Sequence, residues 1–106
     1  FSLVEKDRVT SAGILIKELE GMNKPVLVGG DFNAKPGSEP VEIIKGKFNL
    51  LTSEKFITYP SDTPRVCLDY IWGLKFNNHK YNVLQSVSIN EPMASDHLPL
   101  MIDIKL

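Results

Sequence analysis

The spacing of apolar residues predicts two helices. From about residue 5 to residue 20, apolar side chains recur every three or four positions and charged side chains occupy the other faces, which is typical of an amphipathic helix. Gly21 is the predicted end of this helix. A shorter helix is predicted after Ser38, which suits an N-cap position, with Pro40 in its first turn.

Apolar runs and strict alternation predict four or five strands. The first run is short and β-branched, which favours a strand buried on both faces. In the segment 81–89, alternation predicts one face formed by Val83, Gln85, Val87 and Ile89. A loop is predicted over 90–95. The predicted strands are 26–28, 66–72, 81–89 and 98–106, with 48–51 as either a short strand or a bridging segment.

Two helices with four or five strands favour a mixed α/β or α+β layer over a barrel. The chain has 106 residues, which suits one domain at most, with 42% hydrophobic and 24% charged residues. A net charge of −1 argues against the broad basic surface needed for tight, non-specific DNA binding. The longest apolar runs are too short to span a membrane.

Cys67 is the only cysteine, so neither an internal disulfide nor a cysteine-built zinc site can form. Because it lies in an apolar run, it is predicted to be a small buried core residue. Tyr59, Tyr70 and Trp72 are predicted to serve in packing rather than as stacking platforms for a ligand. His79 lies in a polar turn and is predicted to be solvated.

Asp31 and Asn33 follow the first strand and the Gly29-Gly30 turn. The carboxyl end of a strand is a usual place for chemistry in α/β proteins. Here a carboxylate could orient or deprotonate a water, and an amide could donate to a phosphate oxygen. The other interpretation is turn chemistry, because Asp, Asn and Gly all favour such loops. The pattern alone leaves both open.

Asp69 lies in the predicted strand 66–72, where aspartate is unfavourable and a buried unpaired charge is costly. It is either an acid at an exposed or ion-paired edge, or the acceptor of a hydrogen bond from a histidine. His97 is the candidate donor, and such a bond would hold the tautomer of its ring and favour the protonated form. A lone histidine before a strand can also be structural.

Arg65 lies in a loop bracketed by prolines. It could meet an anionic substrate, or it could be a solvated loop residue. The Gly29-Gly30 pair is no phosphate cradle, because the nucleotide-binding fingerprints need more glycines or a following Lys and Ser/Thr.

Taken in order, these segments resemble the endonuclease/exonuclease/phosphatase superfamily, the DNase I-like metal-dependent phosphoesterases. The segment 30–33 is similar to its Gly-Asp-Phe-Asn motif. The segments 58–60 and 68–72 resemble its threonine-aromatic-proline loop and its Ile-Asp-Tyr-Ile strand. The segment 95–100 is similar to its closing Ser-Asp-His motif. The resemblance covers nearly the whole chain.

This resemblance implies a role for each matching residue. Asp31 would orient and help to deprotonate the attacking water, and Asn33 would bind the scissile phosphate. Asp69 would hold His97, which would contact the phosphate and stabilise its developing charge. Asp96, together with Asp31, would hold the metal, which is Mg²⁺ or Mn²⁺ in this family. Arg65 is carried as a further candidate for substrate binding.

The resemblance also implies a fold. Residues 1–106 would be the C-terminal part of a single domain, half of a DNase I-like four-layer α/β sandwich. This half would hold one mainly antiparallel sheet of four or five strands with two helices. Family members are roughly twice this long and carry a metal-binding glutamate in their first half, which no glutamate of the opening helix can replace. We therefore expect the N-terminal half as a partner, self-association without it, and little activity in isolation.

The function expected from these residues is divalent-metal-dependent hydrolysis of phosphoester bonds, by a nuclease, a phosphodiesterase or a phosphatase. The alternative is a non-catalytic binding or scaffold domain that retains the DNase I-like fold. The substrate could be RNA ends, nucleotides, lipid or inositol phosphates or other small esters, and duplex DNA is less favoured by the charge. The sequence carries no indication of compartment.

Overall fold

In the computed structural model of the chain, residues 1–93 and 95–105 are described. They include two helices and five strands, as the sequence predicts. The elements are α1 (Glu5–Leu19), β1 (Leu27–Asp31), α2 (Glu39–Lys45), β2 (Phe48–Leu50), β3 (Asp69–Leu74), β4 (Asn82–Ser88) and β5 (Leu100–Lys105). Ala94, in the predicted loop 90–95, and Leu106, at the end of the predicted last strand, lie outside the described residues.

The predicted mixed α/β class, with two helices and antiparallel strands, is confirmed. The strands lie in two sheets rather than in one: a three-stranded sheet in the order β1-β3-β2, and a two-stranded sheet of β4 and β5. Both edges of β3 are occupied, by β1 and by β2. The strand that follows it in the chain therefore pairs with β5 instead.

The helices cover one face of the three-stranded sheet. Tyr70 and Trp72 alternate onto this face of β3, are fully buried, and stack with their ring centroids 5.4 Å apart. Ala12 of α1 and Ile44 of α2 join the same core. Burial of these aromatic rings supplies a large share of the hydrophobic stabilisation. The prediction of packing is confirmed for Tyr70 and Trp72, whereas Tyr59 is 36% exposed.

The opposite face of the same sheet is open. Leu27 is 44% exposed, so the prediction that the first strand is buried on both faces is wrong. The reason is alternation along the strand: Val28 points toward the helices, whereas Leu27 and Gly29 point to the other face. No helix of the described part of the chain packs on this open face.

The strand β4 contains an irregularity that its sequence pattern hides. Its register against β5 shifts between Val83 and Gln85, so that Leu84 has no partner and is 60% exposed. Leu84 is one extra residue in this strand, so side chains after it point to the opposite faces from those that strict alternation predicts. Ser86 and Ser88 therefore share the face of Val83, and the predicted face that groups Val83 with Gln85 is wrong.

Among the helices of residues 1–93 and 95–105, none combines the length and the apolarity that crossing a membrane requires.

Candidate active site

Two aspartates face each other at one end of the three-stranded sheet. Asp31 is the last residue of β1, Asp69 is the first residue of β3, and the two are direct partners in the antiparallel register. Side chains of opposing residues lie on the same face of a sheet, and like charges there repel. This pair of carboxylates therefore favours a cationic group between them.

That group is His97, which comes from the segment just before β5. Its Nδ1 lies 2.7 Å from Oδ2 of Asp69, and its Nε2 lies 3.4 Å from Oδ2 of Asp31. The shorter contact is a hydrogen bond and the longer one is an ion-pair distance when the ring is protonated. These three side chains thus meet at one point, although Asp31 and His97 are 66 positions apart in the sequence.

The surroundings of the imidazole set its protonation. Partial burial lowers the pKa of His97, but the hydrogen bond to Asp69 and the negative charges of Asp69, Asp31 and Asp96 outweigh burial. The net effect is a pKa above the ordinary value for histidine. At neutral pH the ring therefore carries more positive charge than a free histidine would, which suits contact with an anion.

Thr58 is a residue of this site to which sequence reasoning gave no role. Its hydroxyl donates to Oδ2 of Asp69 at 2.5 Å, and the side chain is fully buried. Its carbonyl accepts a hydrogen bond from the backbone N–H of Leu98, at 2.8 Å. Thr58 therefore orients the carboxylate and ties the histidine segment to the same loop. Its place in the threonine-aromatic-proline motif was the available signal.

Ser61 joins the two loops that border the site. Its N–H donates to the carbonyl of Asp96 at 2.7 Å, and its hydroxyl lies 2.5 Å from the carbonyl of Ser95. The side chain is buried. Because these carbonyls belong to the backbone at Ser95 and Asp96, the two hydrogen bonds fix the backbone position from which the side chains of Asp96 and His97 extend.

In the segment 31–33 the buried ring of Phe32 determines the direction of its two polar neighbours, Asp31 and Asn33. Phe32 is 5% exposed and packs edge-on against Tyr70, with centroids 5.7 Å apart. Asp31 and Asn33 consequently point to the other side. Asn33 has a positive φ of 50° and its N–H donates to Oδ1 of Asp31 at 2.8 Å, a conformation that asparagine tolerates better than most residues. Its side-chain amide donates to the carbonyl of Phe1.

A cavity of about 520 Å³ opens beside these groups. Four of the predicted site residues line it: Asp31, Asn33, Asp96 and His97. Its other lining residues are Leu3, Arg8, Tyr59 and Leu68. The ring of Tyr59 also packs against His97, with centroids 4.7 Å apart. The volume lies within the usual range of ligand pockets.

The structure does not bring Arg65 into this cavity. Arg65 is exposed, and its described hydrogen bond is that of its backbone N–H to Tyr59. Arg8 lines the cavity instead. In the sequence Arg8 is one of several charged positions of the predicted first helix, and helical periodicity does not tell which loop the first turn of a helix contacts.

Ligand atoms of Asp31, Asp69 and His97 all lie within 4.8 Å of one another, so this cluster could hold a metal ion. Carboxylate oxygens suit Mg²⁺, which takes one or two carboxylates and keeps several waters. Nδ1 of His97 and Oδ2 of Asp69 are bonded to each other, so an ion that used both atoms would displace this hydrogen bond. Asp96 is exposed beside the same cavity and is outside this cluster of described residues.

The thiol of Cys67 takes no part in the site. Cys67 is buried in the core, as predicted. Burial raises the pKa of its thiol, and the thiol form is a poor nucleophile. The chemistry of the site therefore rests on carboxylates, an amide and an imidazole.

A mixed α/β fold thus carries an Asp-His-Asp arrangement where the end of β1 pairs with the start of β3. The chain belongs to the endonuclease/exonuclease/phosphatase family, whose model matches residues 5–97. Members of this family generally depend on divalent metals. No curated protein matches the sequence at a significant level.

Solved structures of the same fold resemble the chain throughout its length. A conserved protein of unknown function from Enterococcus faecalis V583 has a TM-score of 0.76 at 22% identity, over 97% of this chain and 46% of its own. The mannosyl-6-phosphatase of Bacteroides thetaiotaomicron VPI-5482 has a TM-score of 0.76 at 17% identity, over 98% and 48%.

An endonuclease/exonuclease/phosphatase from Bacteroides vulgatus has a TM-score of 0.75 at 21% identity, over 96% of this chain and 45% of its own. The chain thus spans slightly less than half the length of the structures it matches. At these identities the likeness establishes the fold.

Proposed function

We propose that this protein is a divalent-metal-dependent hydrolase of phosphoester bonds, and that the cavity beside His97 is its active site. The observation that carries the proposal is the position of one imidazole between two opposed carboxylates, at the wall of a cavity that Asn33 and Asp96 also line. In phosphoester hydrolysis a carboxylate can orient the attacking water, and a cationic group can stabilise the negative charge on the phosphate.

Asp31 is proposed to orient the attacking water and to take its proton. Its side chain is 37% exposed, so a water molecule can reach it from the cavity. Asn33 is proposed to donate to an oxygen of the phosphate. In the structure its amide donates to the carbonyl of Phe1, so this contact is exchanged or shared when the substrate binds.

His97 is proposed to contact the phosphate through Nε2 and to stabilise the negative charge that develops there. Its Nδ1 is held by Asp69 at 2.7 Å, which leaves Nε2 as the atom directed toward Asp31 and the cavity. Asp69 acts through the imidazole: it fixes the orientation of the ring and keeps its proton. Thr58 positions Asp69 in turn.

Asp31 and Asp96 are proposed to hold Mg²⁺ or Mn²⁺. The bound ion supplies Lewis-acid stabilisation of charge on the phosphate oxygens. Both carboxylates line the cavity, and carboxylates are the hard ligands that these ions prefer. The two acids would otherwise repel an anionic substrate.

The substrate is proposed to be a small phosphoester. A cavity of about 520 Å³ has room for a phosphoryl group, and the net charge of −1 does not favour duplex DNA. A structural neighbour is a mannosyl-6-phosphatase, so sugar phosphates belong in the substrate panel beside nucleotides and phosphodiesters.

We also propose that further polypeptide of the same domain completes the site. The open face of the three-stranded sheet and the coverage of less than half of the matched structures support this proposal. The 106-residue chain alone is then expected to have little or no activity and to associate with itself.

The test is an assay of the intact protein that contains this chain, with Mg²⁺ and with Mn²⁺. The substrates are an aryl phosphodiester, an aryl phosphomonoester, mannose 6-phosphate, single-stranded RNA, an abasic duplex and a phospholipid. We expect Asp31→Ala and His97→Ala each to lower kcat by about 100-fold or more. Asp103→Ala, on the exposed face of β5, is the matched control and should keep wild-type turnover.

A chelator should abolish the activity and either metal should restore it. Wild-type turnover in either active-site variant would refute the role assigned to that residue. An intact, folded protein that hydrolyses none of these substrates would support a non-catalytic binding domain with the same fold.

A further inference from the structure

Arg8 lies in the first turn of α1, and its side chain reaches the wall of the active-site cavity. It is half-buried. Among the described residues it has no carboxylate within ion-pair distance, since the ion pairs found there belong to lysine and histidine. A guanidinium at this depth without an acidic partner is unusual, because charge in a partly buried place is costly unless it is paired.

The hydrogen bonds of Arg8 are also incomplete. Its Nη1 donates to the carbonyl of Ser2 at 3.2 Å, which fixes one edge of the guanidinium. Its Nε is buried and has no partner in residues 1–93 and 95–105. Buried donors in proteins are nearly always satisfied, so an unsatisfied one requires an explanation. A ligand acceptor next to the guanidinium is such an explanation.

The charges around the cavity indicate what that ligand would be. The ionisable residues that line it are Asp31 and Asp96, which are acidic, and Arg8 and His97, which are basic. The charge of His97 is already shared with two carboxylates. Arg8 is therefore the lining cation with its charge uncommitted, and a guanidinium presents its donors in a fork that matches the oxygens of a phosphate.

We propose that Arg8 binds the phosphoryl oxygens of the substrate and is a specificity-determining residue of this site. The inference rests on the proposed phosphoester hydrolysis and adds to it the cation that fixes the anionic group. Arg65, the arginine that was a candidate from the sequence, is exposed and does not line the cavity.

The test uses the intact protein with Arg8→Gln and Arg8→Lys, and with Arg65→Gln as the matched control. Glutamine can still donate to the carbonyl of Ser2 but has no charge, whereas lysine keeps the charge without the fork. Binding of inorganic phosphate is measured by calorimetry. KM and kcat are measured with an aryl phosphomonoester, and the melting temperature reports on folding.

We expect Arg8→Gln to weaken phosphate binding and to raise KM by about tenfold or more, with kcat and melting temperature close to wild type. Arg8→Lys should lie between the two, and Arg65→Gln should equal wild type. The proposal is overturned if Arg8→Gln keeps its phosphate affinity, or if its effect is a lower melting temperature or kcat alone.

An equal loss of affinity in Arg65→Gln would also overturn it. The two proposals fail separately, because phosphate binding needs no turnover. A wild-type protein that binds phosphate through Arg8 but hydrolyses no ester would refute the proposed function and leave this inference standing.

Discussion

At the scale of residues, one carboxylate oxygen organises the site. Oδ2 of Asp69 accepts hydrogen bonds from both the hydroxyl of Thr58 and Nδ1 of His97. The two donors hold the carboxylate in one orientation, and the carboxylate in turn holds the imidazole. Asp69 is only 15% exposed, so water screens this network weakly and its geometry is firmly set.

Asp69→Asn is therefore expected to lower the pKa of His97, because the amide removes a negative charge and weakens the hydrogen bond to Nδ1. The measurement is an NMR titration of the imidazole in buffer that contains a chelator. Asp103→Asn serves as the control and should leave the pKa of His97 in place. An unchanged pKa in Asp69→Asn would show that the ion pair is absent in solution.

The same pair makes stability depend on pH. A pKa raised in the folded state means that the folded protein binds the proton more tightly than the unfolded chain does. The stabilisation is fully present below the ordinary histidine pKa of about 6.5, and it is lost as the pH rises through the higher folded-state pKa. Urea unfolding at several pH values should show wild type losing its advantage over Asp69→Asn above this range.

At the scale of elements, β3 carries the core on one face and the site on the other. Its open face also receives Tyr81, whose ring lies where a side chain at position 73 would be. A Cβ added to Gly73 would come within 2.7 Å of that ring. The hydroxyl of Tyr81 donates to the carbonyl of Leu74 at 2.6 Å, so the ring is fixed by a hydrogen bond at the far end of β3.

Gly73→Ala should therefore destabilise the protein by about 1–3 kcal/mol, as overpacking usually does. Gly13 is the matched control: it is exposed within α1, and a Cβ there meets nothing within 4 Å. Gly13→Ala should stabilise by roughly 0.5–1 kcal/mol. Chemical unfolding measures both free energies, and equal effects from the two substitutions would contradict the close packing of Tyr81.

The turn that joins β3 to β4 is more ordered than its composition indicates. His79 stacks on Phe76, with centroids 4.8 Å apart, and meets Tyr81 edge-on. The prediction that His79 is solvated is wrong, because aromatic neighbours three positions before and two positions after it close around the ring. A polar sequence does not reveal such local aromatic packing.

At the scale of the whole molecule, the open sheet face is the main departure from an ordinary folded surface. A groove of about 400 Å³ runs between β1, β3 and the start of β5, and its lining includes Gly29, Ile71 and Leu100. Leu27, 44% exposed, lies on the same sheet face. Contiguous apolar surface of this kind favours association.

The 106-residue chain by itself is accordingly expected to form dimers or larger assemblies in light scattering and to bind a dye that reports apolar surface. Leu27→Glu should reduce both effects, because it places a charge on the open face. Met93→Glu is the control, since Met93 is 90% exposed in a loop and lies away from the strands. A monomer that binds no dye would contradict the expectation.

Local patterns in the sequence are enough to locate most of the helices and strands and most of the candidate residues. Periodicity located both helices and the strands, because burial of one face imposes a period that is local in the chain. Three short motifs marked Asp31, Asn33, Asp69 and His97 as candidates for one site. Each of these signals needs only neighbours in sequence.

The arrangement of the strands and the full set of site residues required the folded structure. The division into two sheets, the bulge at Leu84 and the open face depend on which strands pair, and pairing is settled by contacts between residues far apart in the chain. Thr58 and Arg8 joined the site for the same reason. Thr58 belongs to a motif and Arg8 is one of several charged helix positions, and each acquires its role because folding brings it against a carboxylate or a cavity formed elsewhere.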